Sequence, residues 1–360
     1  MNVLTGIDLP HPSPGGSVEL LRDLYLGRDA PIPADVFMLG TDTGSRIRPS
    51  QLALLDVRDK AVSGPAFWTF VDRLADEIRA RFAGTEPRVL HFQHLTFGAT
   101  PALRKAFPDQ PSIALVHGTD LLFAESNPTQ AEVLRQTVGS TDVIVVPARA
   151  MAARLRDFAA VAPERIAHVP WGVPDRLLAE PPERVARASD RLRILYAGRL
   201  TSEKATAGVF TRLAEQEDIE LSVAAPPAEY DCLAGQNGLP RVRYSGWLAR
   251  EELWREFARH DLLIVPSLKL EAFGLVAIEA QACGLPVAYQ PVPGLTEVLG
   301  ESALAVDFGD HESVVATMKD LARSPARLDE LRSSGLANSA RLPLSGTSDA
   351  LLDLTAAVAR

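Results

Sequence analysis

The feature that most constrains this chain is an alternation repeated along almost its whole length. A short run rich in Val, Ile and Leu is followed by a longer stretch with apolar residues at helical spacing. That order specifies βαβ units, because parallel strands need a long crossover and a helix supplies it. In the first half the runs are Asn2–Gly6, Val36–Leu39, Val89–Phe92, Ile113–Val116, Val143–Val146 and Ile166–Val169. Between them, Ala66–Phe82 sets Phe67, Phe70, Val71, Leu74 and Ile78 on one helical face. Several runs are continuously apolar, as expected of a parallel sheet covered on both sides. Residues 176–192 break the pattern with two prolines and mixed charges. It restarts with Ile194–Ala197, Leu221–Ala224, Val242–Ser245, Leu262–Val265, Val287–Tyr289 and Ala303–Val306. The expectation is an α/β chain of two doubly wound domains, 1–175 and 193–340, joined by a linker at 176–192. A final segment, 341–360, is apolar at helical spacing over Asp349–Val358. Ligands of open α/β sheets bind beyond the carboxyl ends of the strands, so the loops there are where chemistry is sought.

Bulk properties remove several classes. The 360 residues carry a net charge of −9, and neither half is basic. A broad nucleic-acid footprint is therefore not expected, nor adhesion to anionic lipid. No apolar run is long enough to span a bilayer, so no stable membrane insertion is expected. The start, MNVLTGIDLPHPSPGG, lacks the cationic and apolar regions of a signal peptide. Cys232 and Cys283 lie far apart without metal-ligand spacing and read as two buried thiols in a reducing cytoplasm. Oligomeric state leaves no mark in the sequence.

The most informative loop is LKLEAFGLVAIEAQACGLPV, Leu268–Val287. A strand runs into it, a helix starts near Gly274, and Gly284 with Pro286 stops that helix. The amides of Phe273, Gly274 and Leu275 and the positive end of the helix dipole make a cradle for a diphosphate. Glu271 precedes the helix and Glu279 lies inside it, a Glu-x7-Glu spacing. One carboxylate would face a sugar and the other would accept from ribose hydroxyls; the alternative is two solvated charges. A second loop, ILYAGRLTSEK, places Arg199 and Lys204 after another strand, as two cations for a diphosphate or as solvated surface residues.

In the first domain, Gly15 and Gly16 follow the first strand, either as a tight turn or as a close approach to a ligand. His117 ends a later strand in LVHGTD, with Asp120 beside it, and His91 and His94 end the strand HFQHLTFG. His117 is placed to donate to a sugar hydroxyl or to meet the reacting centre, or is structural; His91 and His94 line an acceptor pocket or simply pack; Asp120 orients an acceptor hydroxyl or caps a turn. No carboxylate or cysteine completes a zinc set. Trp247 and Leu248 close the stretch YSGWL, where Trp247 either stacks on a base or packs on the Ala249–His260 helix.

Taken together, these residues resemble the family 4 glycosyltransferases of the GT-B fold. Their hallmarks are the Glu-x7-Glu segment and a G-R-L-x-x-x-K loop, matched here by Glu271 and Glu279 and by Arg199 and Lys204. The resemblance implies two Rossmann-like domains around an interdomain cleft. The acceptor lies on the 1–175 side, the nucleotide-sugar donor on 193–340, and the tail 341–360 crosses back to the first domain. It also implies donor contacts from Gly15, Gly16, Arg199, Lys204, Trp247, Leu248, Glu271, Phe273, Gly274, Leu275 and Glu279. Glu271, Arg199, Lys204 and His117 would serve the reacting centre. The implied reaction moves a hexose-type sugar from a UDP- or GDP-sugar to a small soluble acceptor, with retention and by front-face attack.

No Asp-x-Asp pair is present to hold a metal, so neither a metal nor another cofactor is expected. Two departures from the family stand out: Ala205 follows Lys204 where many members have glycine, and APPAEYD replaces a glycine-rich turn after Leu221–Ala225. The rival readings are a nucleotide-sugar epimerase on the same fold and a non-catalytic GT-B binding or regulatory subunit. An NAD-dependent oxidoreductase fits less well, since no G-x-G-x-x-G follows the first strand.

Overall fold

The structure, a computed structural model, describes residues 2–360 except 28, 41–51, 86, 188, 202, 203, 205, 206 and 240. The chain divides into two compact units, Met1–Pro170 with Ser345–Arg360, and Trp171–Leu344. The first unit is built on β1 (Val3–Pro10), β2 (Ala34–Leu39), β3 (Leu52–Leu55), β4 (Val89–Phe92), β5 (Ser112–Leu115), β6 (Val143–Val146) and β7 (Ile166–His168). They lie parallel in the order β3-β2-β1-β4-β5-β6-β7. The second is built on β8 (Leu192–Ala197), β9 (Ile219–Ala224), β10 (Arg243–Tyr244), β11 (Leu262–Val265), β12 (Val287–Tyr289) and β13 (Leu304–Ala305). Its order is β10-β9-β8-β11-β12-β13, again parallel. Each order reverses once, between β1 and β4 and between β8 and β11. The carboxyl ends of those four strands are where a doubly wound sheet leaves a crevice.

The elements follow from the patterns that specify them. β4, β5 and β11 are buried at every position, as two-sided cover requires. The helix Gly64–Arg81 has Pro65 in its first turn, where a missing N–H is harmless, and buries Phe67, Phe70, Val71, Leu74 and Ile78. Each such side chain contributes about 1.5–3 kcal/mol when withdrawn from water. β3 was not expected from the sequence. Its four residues, LALL, pair only with β2 at the sheet edge and give too short a run to stand out.

The stretch 176–192 is not a free linker. Helix Asp175–Ala179 opens it, the Val185 amide bonds Ala258 O at 2.9 Å, and Arg184 reaches the carbonyls of Phe257 and His260. Its prolines end the helix but leave an extended chain able to lie along the second unit. At the other end of the chain, the helix Leu344–Val358 enters the first unit from Ser345 onward. There Thr355 Oγ1 lies 3.0 Å from His91 Nε2, and Thr347 bonds Pro170 O at 2.8 Å. Of the two cysteines expected to be buried, Cys283 is and Cys232 is exposed. Among the described residues no helix is long and apolar enough to cross a membrane.

Candidate active site

In the second unit the two strands flanking the reversal end in the two loops singled out above. β8 leads to Gly198, Arg199 and Lys204, and β11 leads to Ser267 and Glu271. Folding brings Lys204 Nζ to 2.9 Å from Glu271 Oε2, with Ser267 Oγ donating to the same oxygen at 3.3 Å. Arg199 takes a different partner. Its Nε donates to Glu229 Oε1 at 2.7 Å, and the Leu200 amide holds Glu229 Oε2 at 2.7 Å. Glu229 belongs to the APPAEYD stretch, which opens the helix Pro227–Asn237 instead of a glycine turn. Ala205, the other departure, lies outside the described residues. Both cations thus rest in pairs that an anionic ligand can share.

Beside Glu271 the helix Leu275–Ala282 begins, capped by Gly274 in the left-handed region at φ 82°. A side chain at Gly274 would also meet Leu295 Cδ2 at 2.5 Å. Among the described residues the amides of Phe273, Gly274 and Leu275 donate no backbone hydrogen bond, as the first turn of a helix requires. Gly294, which the sequence reading missed, presses on this loop. A Cβ there would stand 1.9 Å from Glu271 O, so only glycine lets the helix Pro293–Leu299 brace the carboxylate's backbone.

Glu279 lies about one turn into the same helix and is 5% exposed. Arg250 Nη2 donates to its Oε1 at 2.6 Å and Trp254 Nε1 to its Oε2 at 2.8 Å. It is therefore not a solvated charge. It is a buried acceptor that takes one bond on each carboxylate oxygen. The guanidiniums of Arg250 and Arg176 stand over the Trp254 ring at 5.5 and 5.1 Å. Trp247 is 41% exposed, which leaves its ring available for stacking, and Leu248 is half-buried. Their loop is tied to the end of β9 by the Ala225 amide on Gly246 O at 3.0 Å.

In the first unit, Gly15 caps the helix Gly16–Tyr25 at φ 140°, a conformation open to glycine. It follows β1, and His94 follows β4, so both sit at that sheet's reversal. His94 and His117 lie with ring centroids 4.8 Å apart, and Phe97 meets His94 edge-on at 5.1 Å. Burial pushes His94 down to about 3, helped by Lys60, and His117 well below its ordinary value. Both shifts favour the neutral imidazole over the cation. Asp120 is fully buried and takes the amides of Leu95 at 3.2 Å and Leu121 at 3.1 Å. It ties the β4 loop to the helix Thr119–Ser126 and does not reach outward as an acceptor-orienting group. His91 is likewise consumed, between Tyr25 OH at 2.9 Å and Thr355. Among the described residues no group of His, Cys, Asp and Glu is arranged to hold a metal.

Comparison with known proteins bears on both units. Residues 33–177 match the family model described as Glycosyltransferase Family 4, and residues 180–336 that described as Glycosyl transferases group 1. A D-inositol 3-phosphate glycosyltransferase of Segniliparus rotundus is 28% identical over 298 residues, 68% of this chain and 61% of that protein. The chain thus spans under two thirds of that relative's length. D-inositol 3-phosphate glycosyltransferase 1 of Catenulispora acidiphila is 29% identical, over 73% of this chain and 71% of its own length. Among solved structures, a sucrose-phosphate synthase from Thermosynechococcus elongatus superposes with a TM-score of 0.81 at 20% identity, covering 98% of each chain. Anabaena HepE in complex with UDP-glucose gives 0.76 at 16% identity, covering 99% of this chain and 100% of that one. These likenesses are of fold.

Proposed function

The chain belongs to the family 4, group 1 glycosyltransferases with the GT-B fold, and on that premise we propose that it moves a hexose-type sugar from a nucleotide diphosphate sugar to a small soluble acceptor, with retention. The observation that carries the reading is the meeting of Lys204 and Glu271 at 2.9 Å. It occurs where two strands end at the sheet reversal, beside a helix opened by a glycine at φ 82°, a conformation that strains any larger residue.

As the bond from the anomeric carbon to the diphosphate oxygen breaks, negative charge grows on the departing group. Arg199, Lys204 and the amides of Phe273, Gly274 and Leu275 meet that charge, so the step needs no metal. The acceptor oxygen bonds the anomeric carbon from the same face, and its proton passes to the departing phosphate oxygen. No enzymic nucleophile is required. Glu271 holds sugar hydroxyls and Glu279 those of the ribose. By the family resemblance, His117 is assigned to the sugar and Gly15 and Gly16 to the donor phosphate and sugar. A UDP-sugar is the first donor to test and a GDP-sugar the second, since HepE is described with UDP-glucose. Among small acceptors a cyclitol phosphate comes first, because the relatives are named for D-inositol 3-phosphate. We assign the reaction to the cytoplasm, in natural-product or small-conjugate assembly.

Thermal shifts with UDP, GDP, ADP and TDP test the donor site, and one selective rise is expected. The double variant Arg199→Ala, Lys204→Ala should lower turnover by about 100-fold or more. Donor incubated alone should stay unaltered, which separates the transferase from an epimerase. No rise with any nucleotide, or full turnover in the double variant, would overturn the proposal.

A further inference from the structure

The amino ends of β8, β9 and β10 carry charge on a face that parallel sheets normally cover. Register sets Arg193 beside Glu220 and Ser222 beside Arg243. Because side chains alternate along a strand, these four share one face, and Arg191 and Arg241, just before β8 and β10, line the same cavity. The opposite face carries Leu192, Ile194, Ile219, Leu221 and Val223, all in the hydrophobic core. The cationic face opens on a cavity of 560 Å³, walled on one side by Val185, Arg259 and His260. Val185 comes from the stretch expected to be a linker, so its docking on the second unit completes this wall.

Three of the five arginines are neutralised. Arg191 pairs with Glu220 at 3.0 Å, Arg193 with Asp261 at 2.8 Å, and Arg259 with Glu256 at 2.7 Å. Arg241 and Arg243 are exposed and have no ion-pair partner among the described residues. Two uncompensated guanidiniums in a concave site match a dianion, in a chain whose net charge of −9 would otherwise repel one. The donor loops lie at the other end of the same strands. β8 alone places about 16 Å between Arg193 and the start of the Arg199 loop.

We propose that this arginine-lined cavity at the amino ends of β8–β10 is a second anion site, which takes a small phosphate or diphosphate ester apart from the donor. It stands independently of the transferase assignment. The test is calorimetric titration of inorganic pyrophosphate, and separately of inorganic phosphate, into the wild type and into variants built on Arg199→Ala, Lys204→Ala, which removes the donor-site cations. Binding should persist in that background and fall by about tenfold or more when Arg241→Gln, Arg243→Gln are added to it. Adding Arg241→Lys, Arg243→Lys instead should keep most of the affinity, since charge is retained. The two positions are exposed, so the Gln pair alone should fold and bind nucleotide as the wild type does. Several results would overturn the proposal. One is undiminished titration when the Gln pair is added to the Arg199→Ala, Lys204→Ala background, and another is loss of binding with Arg199 and Lys204 alone, which places the anion in the donor site. A third is no pyrophosphate or phosphate binding while vesicles rich in anionic phospholipid bind through Arg241 and Arg243.

Discussion

Glu279 gives the most decisive test, because the proposed mechanism asks two things of one carboxylate and a double-mutant cycle separates them. Its side chain is 7% exposed and that of Arg250 11%. At about 4 Å between charge centres and an effective dielectric near 20, the attraction is about 4 kcal/mol. Removing one partner strands the other charge, which typically costs about 3–5 kcal/mol. Glu279→Ala and Arg250→Ala should each destabilise the second unit by that amount. The double variant should recover much of the loss, because no charge is left buried alone. What remains is the orphaned Trp254 N–H, about 1–3 kcal/mol.

Nucleotide affinity should behave otherwise. A carboxylate that accepts ribose hydroxyls contributes about 1.5–3 kcal/mol, roughly 10- to 100-fold in Kd, and the double variant cannot restore it. The assay is urea unfolding followed by tryptophan fluorescence, with nucleotide titration of the same four proteins. If the double variant binds nucleotide like the wild type, Glu279 does not touch the ribose. If the single variants unfold at the wild-type midpoint, the buried-charge argument itself is wrong.

Gly274→Ala should lower stability by about 2–4 kcal/mol, from left-handed strain plus the clash with Leu295. Gly84→Ala, at the same φ of 82° with nothing within 4 Å, should lose only about 1–2 kcal/mol; equal losses in urea melts would remove the steric argument. Acid should destabilise the first unit. Burial pushes His91 and His94 down to about 3, so the unfolded chain binds protons below about 6.5 that the native one refuses. Stability should therefore fall from about pH 6.5 downward, by up to about 1.4 kcal/mol per pH unit for each histidine. Asp120 opposes this, since burial pushes it up to about 6: its contribution is full below the unfolded value near 4 and is lost as pH rises through 6. Two histidines outweigh one carboxyl, and His91→Gln should flatten the slope by about one proton. A chelator should leave transferase turnover unchanged; activity lost to it and restored by a divalent cation would refute the metal-free mechanism.

Much of the fold could be read from the chain because its strands are local signals. β4, β6, β11 and β12 begin and end with their runs of Val, Ile and Leu, and the helix Leu275–Ala282 sits between Gly274 and Gly284 as turn chemistry requires. β3 escaped because an edge strand of four residues is defined by its neighbour, β2, rather than by its own composition. The second-unit site was visible as residue types and not as partners. Arg199 and Lys204 read as two cations for one ligand, yet each meets its own glutamate. Glu229 could not be named, since nothing local marks a helix-opening residue 30 positions after Arg199. Arg250, Trp254 and Gly294 were hidden for the same reason. Their contributions arise from packing between elements, and a single sequence without pairing information carries no trace of it.

That distinction alters what the Glu-x7-Glu spacing means physically. Seven intervening residues suggest a pair of carboxylates acting on one group, but the two belong to different environments. Glu271 lies in the loop before the helix, with Lys204 and Ser267 on one oxygen. Glu279 lies inside the helix and is clamped by Arg250 and Trp254. Only the part from Leu275 to Glu279 is helical, an advance of about 6 Å, and the loop from Glu271 to Gly274 makes up the rest of the separation. In the proposed function the sugar end of the donor is held at Glu271 and the ribose end at Glu279, with the diphosphate between them at the helix start. On that proposal the spacing acts as a ruler. Lengthening it by one residue before Gly274 would leave both ion pairs able to form, yet turn Glu271 away from the amide cradle. Such an insertion should keep the unit folded and abolish transfer, whereas a spacing that merely fixed a surface charge would tolerate it.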